Sequence, residues 1–166
     1  MGFEELESQL KKLPIGRIVS CPEQPESIPG IVAADALDAN DAFGTLMRIK
    51  VPKSGIIYSA LLLDIDDEGS QVDLEIFKSR PVQVASDAAW DLPASYVTSF
   101  VCELNFIAFD DHTSCQTSQL SNIGIAYTAP EGYLWIQAVA RGTPNIAAGA
   151  SPKIQLNIIP DDPDWR

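Results

Sequence analysis

The sequence predicts an all-β chain: an antiparallel β-sandwich, of the two-layer or jelly-roll type, with a short N-terminal helix and extended arms. Three observations predict it. Apolar residues alternate with polar ones at period two over much of residues 31–159. Clusters of Gly, Pro, Asn and Asp separate these runs at short intervals. The interior has almost no helical periodicity, so the crossover helices of a βαβ fold have no place in it.

The elements follow in order. Phe3, Leu6, Leu10 and Leu13 recur at steps of three and four, which predicts one amphipathic helix over Gly2–Leu13, ended by Pro14. A helix this short is marginal alone, so it either packs on its own domain or clips to a neighbouring subunit. Pro14, Pro22, Pro25 and Pro29 mark Leu13–Pro29 as an irregular extended connection and not a strand. Residues 1–30 are therefore helix and arm, 31–159 the sandwich, and 160–166 a tail. Phe43, Thr45, Met47, Ile49 and Val51 alternate with Leu46, Arg48 and Lys50, and Pro52–Gly55 makes a turn. The nearly continuous apolar run Ile56–Leu63 predicts a strand buried on both faces. After the turn Asp64–Gly69, Val72, Leu74 and Ile76 alternate with Asp73, Glu75 and Phe77, the pattern of a half-exposed strand. Asp91–Ser95 resembles a helix start, and Val97–Phe109 a long strand with a bulge near Glu103–Asn105. Asn122–Thr128, Tyr133–Ala140 and Ile154–Ile159 bring the total to about eight strands. The acidic, proline-broken tail Pro160–Arg166 cannot be a strand interior.

Composition narrows the function. A chain of 166 residues suits one domain. No apolar run approaches the roughly 18 residues of a membrane span. The acidic start Met1–Glu5 is the reverse of a secretory signal. A net charge of -12 makes nucleic acid and anionic membrane poor partners. Cys21, Cys102 and Cys115 are odd in number and lack metal-ligand spacing, which predicts free thiols in a reducing compartment, with Cys102 packed as a small hydrophobe.

Chemical constellations are weak. The single histidine, His112, lies in the polar stretch Asp110–Cys115, and no Gly-x-Ser-x-Gly elbow is present, so no catalytic residue is assigned. His112 and Cys115 with two aspartates lack the second histidine or Cys-x-x-Cys of a zinc site. Asp64, Asp66, Glu68, Gly69 and Glu75 have calcium-loop spacing, but β flanks favour an acidic hairpin turn. No cofactor or metal residue is assigned. Tyr133, Trp135 and Gln137 share one strand face, suited to a core, a subunit interface or, less well, a stacked sugar. Trp90 and Trp165 sit among prolines and aspartates, and an exposed tryptophan forfeits burial worth about 2 kcal/mol, so Trp165 anchors the tail to a neighbour or to its own domain. The candidate interface residues are Phe3, Leu6, Leu10, Leu13, Trp90, Tyr133, Trp135 and Trp165.

Several stretches carry a resemblance: Asp38–Gly44, Ser54–Gly69, Ser86–Trp90, and Asn122–Tyr127 through Arg141–Pro144. A Ser-Gly-x-Ile-x-Ser strand leading into a Leu-x-Asp-x-Asp-Asp-x-Gly turn, followed by an Ala-x-Ala-Arg-Gly-Thr-Pro run, is similar to the phage head decoration, or cement, proteins. The resemblance spans roughly Ile31–Ile159 and rests on turns, not on chemical signatures. It implies a jelly-roll sandwich made in the host cytoplasm, trimeric, and seated on the outer capsid surface against the major capsid protein. The alternative reading is a carbohydrate- or receptor-binding module of a tail fibre, using Tyr133, Trp135 and the Asp64 turn.

Overall fold

Period-two alternation builds two antiparallel sheets, and their apolar faces make the core. The computed structural model describes residues 17–31, 37–162 and 164–165. The helix expected at Gly2–Leu13, with Phe3, Leu6, Leu10 and Leu13, lies outside them. The strands are β1 (Val19–Ser27), β2 (Met47–Lys50), β3 (Ser54–Asp64), β4 (Val72–Phe77), β5 (Phe100–Phe106), β6 (Asp110–Asp111), β7 (Gln116–Leu120), β8 (Ile125–Thr128), β9 (Tyr133–Ala140) and β10 (Lys153–Pro160). The first sheet runs β1-β10-β3-β7-β6, with β8 also paired to β3, and the second runs β2-β9-β4-β5. A 3₁₀ turn at Ala94–Tyr96, close to the expected helix start, is the one helical element among the described residues.

The core lies between the sheets. Ile57, Leu62, Ile154, Leu156 and Ile158 from the first face Met47, Ile49, Leu74, Ile76, Leu104, Phe106, Leu134 and Ile136 from the second. Each fully buried side chain of this size contributes roughly 1.5–3 kcal/mol of transfer free energy. Outward residues of the first sheet form a polar ladder. Ser20 donates to Asn157 (2.9 Å), and Asn157 donates to Ser59 (3.0 Å), crossing β1, β10 and β3.

Several expectations are corrected. Leu13–Pro29 contains a strand, so the sandwich begins before residue 31. β1 tolerates Pro22 and Pro25 because it is an edge strand and they fall in a bulge, where the missing N–H groups break no ladder. Across that bulge Gln155 donates to the carbonyls of Pro22 and Glu23, both at 3.1 Å. β3 is apolar and buried on one face only, its other residues, Ser59 apart, being half-exposed. The Asp64–Gly69 segment is not a hairpin, since β3 and β4 belong to different sheets; it arches between the layers. The β5 bulge falls at Val101 and not at Glu103–Asn105. β5 is shorter than Val97–Phe109, because the 3₁₀ turn and its following bend occupy the start. β8 is also shorter than expected, because four residues, 121–124, stand opposite only Tyr58 and Ser59 and interrupt the ladder there. The polar strand β7 was not expected at all.

The expected strand from Phe43 to Val51 is split. Residues 41–43 pair with the end of β9, while β2 proper begins at Met47. Gly44 makes the break at φ +77, and a Cβ there would stand 2.5 Å from the Pro29 carbonyl oxygen and 2.8 Å from Ile28. Gly44→Ala is therefore strained in conformation and in space, at a cost of roughly 1–3 kcal/mol. The expected outcome is a Tm lowered by about 2–4 °C for each kcal/mol, read by calorimetry.

All three cysteines are free. Burial pushes the thiol of Cys21 up to about 11 and that of Cys102 up to about 12. The half-buried Cys115 is expected to react first with a disulfide reagent in the native protein. Cys21 and Cys102 react only when denaturant opens the sandwich. A count of thiols modified before and after unfolding checks this.

Candidate functional site

The sequence around Tyr133 writes its own geometry. In β9 the side chains of Leu134, Ile136 and Ala138 point to the core, so Tyr133 and Trp135 point out of the second sheet. Register pairs Arg48 with Trp135 and Lys50 with Tyr133. The Arg48 guanidinium lies over the Tyr133 ring at 4.4 Å and near the Trp135 ring at 5.8 Å. The Arg80 guanidinium also lies over the Trp135 ring, at 5.3 Å. Both rings remain half-exposed, so this is a surface band of alternating cations and aromatics.

Beside the band a groove of ≈ 740 Å³ separates the edge strands β1 and β2, lined by Arg17, Val19, Cys21, Glu23, Glu26, Arg48, Lys50, Tyr133 and Trp165. A second cleft of ≈ 410 Å³ adjoins it, lined by Lys50, Lys53, Glu131, Tyr133, Asp162 and Trp165 among others. Trp165 borders both and packs against the chain's own core. Of the alternatives open from sequence, self-docking of the tail is the arrangement found. The structure thus brings Trp165 into the same clefts as Tyr133, a proximity that no sequence spacing could reveal.

Trp90 does not join them. It is 9% exposed and packs edge-on to Phe77 in a small cluster with Ala42 and Val139. This cluster covers the outer face of the second sheet at β4, which explains a further correction: β4 is buried along its whole length, with Asp73 at 4% and Glu75 at 6% exposed. Loop residues 40–42 and 86–90 lie over it, Trp90 N–H donating to the Asn40 carbonyl at 2.9 Å and Ala42 N–H to that of Ala88 at 2.8 Å.

Arg141 neutralises the acids beneath. Its Nε pairs with Asp73, its Nη1 donates to Asn40 Oδ1 at 2.5 Å, and its Nη2 lies 3.5 Å from Glu103. Asn105 donates to Asp73 (2.8 Å) and Glu103 (2.7 Å). Glu75 stands directly between Gln137 and Glu103 in the ladder. Burial pushes its carboxyl up from the ordinary range; the Trp90 indole N–H draws it down, Glu103 raises it, Arg141 lowers it and Asp73 raises it. Glu75 Oε2, Gln137 Oε1 and Trp90 Nε1 nevertheless close no hydrogen bond of good geometry.

The other chemical candidates resolve into local structure. Asp64 accepts from the N–H groups of Asp66 (3.0 Å) and Gly69 (2.7 Å), and Asp66 accepts from Ala147 N–H at 2.6 Å, so these carboxylates hold the inter-sheet arch. His112 is exposed, with Nε2 3.0 Å from Thr117 Oγ1. Among the described residues no group of three or more His, Cys, Asp or Glu is arranged to hold a metal ion. No family model matches the chain, and the comparisons with curated proteins and with solved structures found no match.

A raised carboxyl means that the folded chain binds the Glu75 proton more tightly than the unfolded chain does. Stability contributed here is present at low pH and falls as pH rises from about 4.3, the ordinary glutamate value, through the folded pKa. Glu75→Gln keeps the shape and removes the charge. It is expected to raise Tm at pH 7 by a few degrees, corresponding to roughly 1 kcal/mol. The difference from the parent should vanish near pH 4, as calorimetry across pH will test.

Proposed function

We propose that the protein is a structural, surface-binding protein of the capsid decoration type, a jelly-roll sandwich that ties capsid subunits together. The observation that carries the binding role is the band Arg80–Trp135–Arg48–Tyr133, half-exposed on a chain of net charge -12. Arg, Trp and Tyr are the residues that dominate protein interfaces, because they bury large area with few rotamers and keep a polar handle.

The strand order supports the finer fold reading. With β7 and β8 taken as one interrupted strand beside β3, and the two-residue β6 set aside as an addition to the β7 edge, the sheets become β1-β10-β3-β7/β8 and β2-β9-β4-β5. Successive strands then alternate between layers except for the paired β4 and β5, and the first and last strands are neighbours, which is the winding of a jelly roll. The resemblance of Asp38–Gly44, Ser54–Gly69, Ser86–Trp90 and Arg141–Pro144 to cement proteins directs the reading to capsids.

The mechanism is mass action. A ligand that binds the assembled lattice and not its separated subunits stabilises the lattice in proportion to its occupancy. Trimerisation multiplies weak contacts through effective concentration. The sugar-binding alternative is less well supported, because guanidinium groups already lie on the faces of Tyr133 and Trp135 that a sugar would use.

The purified protein is expected to have three times the 18.0 kDa chain mass in solution and to co-sediment with assembled capsids but not with dissociated major capsid protein. Arg48→Ala is expected to weaken capsid binding roughly tenfold or more without lowering Tm by more than a few degrees. A monomer that ignores capsids ends the proposal.

A further inference from the structure

Resting on the reading of this face as a protein-binding surface, we infer that the groove between β1 and β2 is an acceptor for an extended acidic segment carrying an aromatic anchor, and that the chain's own C-terminal tail is its resident competitor. The tail supplies the template. It runs Asp161, Asp162, Pro163, Asp164, Trp165, and Trp165 is held at the junction of the two clefts. Asp162 lines the cleft that also contains Lys50 and Lys53.

Three observations favour such an occupant. First, Trp165 borders these clefts without filling them: ≈ 740 Å³ and ≈ 410 Å³ stay open beside it, in the range of ligand-binding pockets. Second, Arg17, Arg48, Lys50 and Lys53 gather here although the chain as a whole is acidic, with Glu23, Glu26 and Glu131 at the margins. None of these cations forms an ion pair among the described residues, where the ion pairs are those of Arg141. A short acidic segment gains from this local field, while a long polyanion meets the opposing charge of the rest of the surface. Third, β2 pairs with β9 alone, so its other edge offers free backbone groups next to the groove. An extended chain can add to such an edge while its side chains enter adjacent pockets.

Among the described residues, few bonds tie the tail to the domain, which is the condition exchange requires. Asp161 N–H donates to the Ser54 carbonyl at 3.2 Å; Asp164 N–H bonds to Asp162 and Trp165 N–H to the Asp162 carbonyl, which are contacts internal to the tail. Beyond Asp161, then, the described tail residues are held to the domain by the packing of Trp165.

The test uses a fluorescent peptide with the sequence of residues 159–166 and reads anisotropy at 50 mM and 300 mM salt. Protein ending at Pro160 is expected to bind the peptide at least tenfold more tightly than the full chain, with affinity falling at the higher salt. Arg48→Glu with Lys50→Glu in the shortened chain is expected to abolish binding while the far-ultraviolet spectrum is unchanged. Because loss of Trp165 could destabilise the shortened chain, a full-length Trp165→Ala protein is assayed beside it and is expected to bind better than the parent. No binding to any folded variant, or binding indifferent to charge reversal, overturns the inference. Capsid co-sedimentation of the same variants is scored separately, so absence of peptide binding alongside retained capsid binding removes the acceptor groove and leaves the proposed function in place.

Discussion

The backbone pairing of β10 on both its edges is the constraint from which the rest follows. It bonds to β1 on one side and to β3 on the other, so the last strand closes the first sheet through contacts distant in sequence. Its inward residues Ile154, Leu156 and Ile158 are almost completely buried. The pairing also fixes where the tail emerges. Pro160 lies opposite Gly55, and a Cβ at Gly55 would meet the Ile159 carbonyl at 2.6 Å, so only glycine admits so close a strand. From there the tail reaches the opening between β1 and β2, where Trp165 lines the same groove as Tyr133, Arg48 and Lys50.

A second constraint is that β4, inside the second sheet, is covered on both faces. Ordinary sandwiches leave their outer faces to water. Here loops 38–44 and 78–96 fold over β4, and the acids that alternation assigns to solvent lie beneath them. Arg141 and Asn105 then become structural necessities, since buried carboxylates without partners are costly. The stretches containing Asn40, Trp90 and Arg141, far apart in the chain, converge at this one place. Their shared role is to clamp the cover on the sheet. Glu75 is the point of tension: it faces Glu103 across the ladder and finds no strong donor.

Much of the β architecture was legible. Tyr133–Ala140 has the observed bounds of β9, and Ile154–Ile159 falls within β10, because clean alternation in a strand reports its two environments directly. Strands whose side chains carry no such contrast were not legible. β7, Gln-Thr-Ser-Gln-Leu, has only Ser118 buried, and its membership depends on the β3 edge beside it. β1 was hidden by prolines, whose cost depends on whether their N–H groups are needed, a property of edge position and bulge register. Of the candidate site, Tyr133 and Trp135 were legible as a shared face. Arg48 and Arg80 were not, because cross-strand and loop neighbours are invisible to local spacing.

By itself the sequence determined the all-β class, the turns, the inward apolar set and the acidic character, because each depends on residues within a few positions of one another. Tertiary structure alone decided that Trp90 is core while Trp165 borders a groove, that Asp73 and Glu75 are buried, and that the acidic Asp64–Gly69 segment spans two sheets. The physical reason is that alternation states which side of a strand is apolar but not what will cover the polar side. That depends on which distant loop or tail finds an unfilled surface to bury.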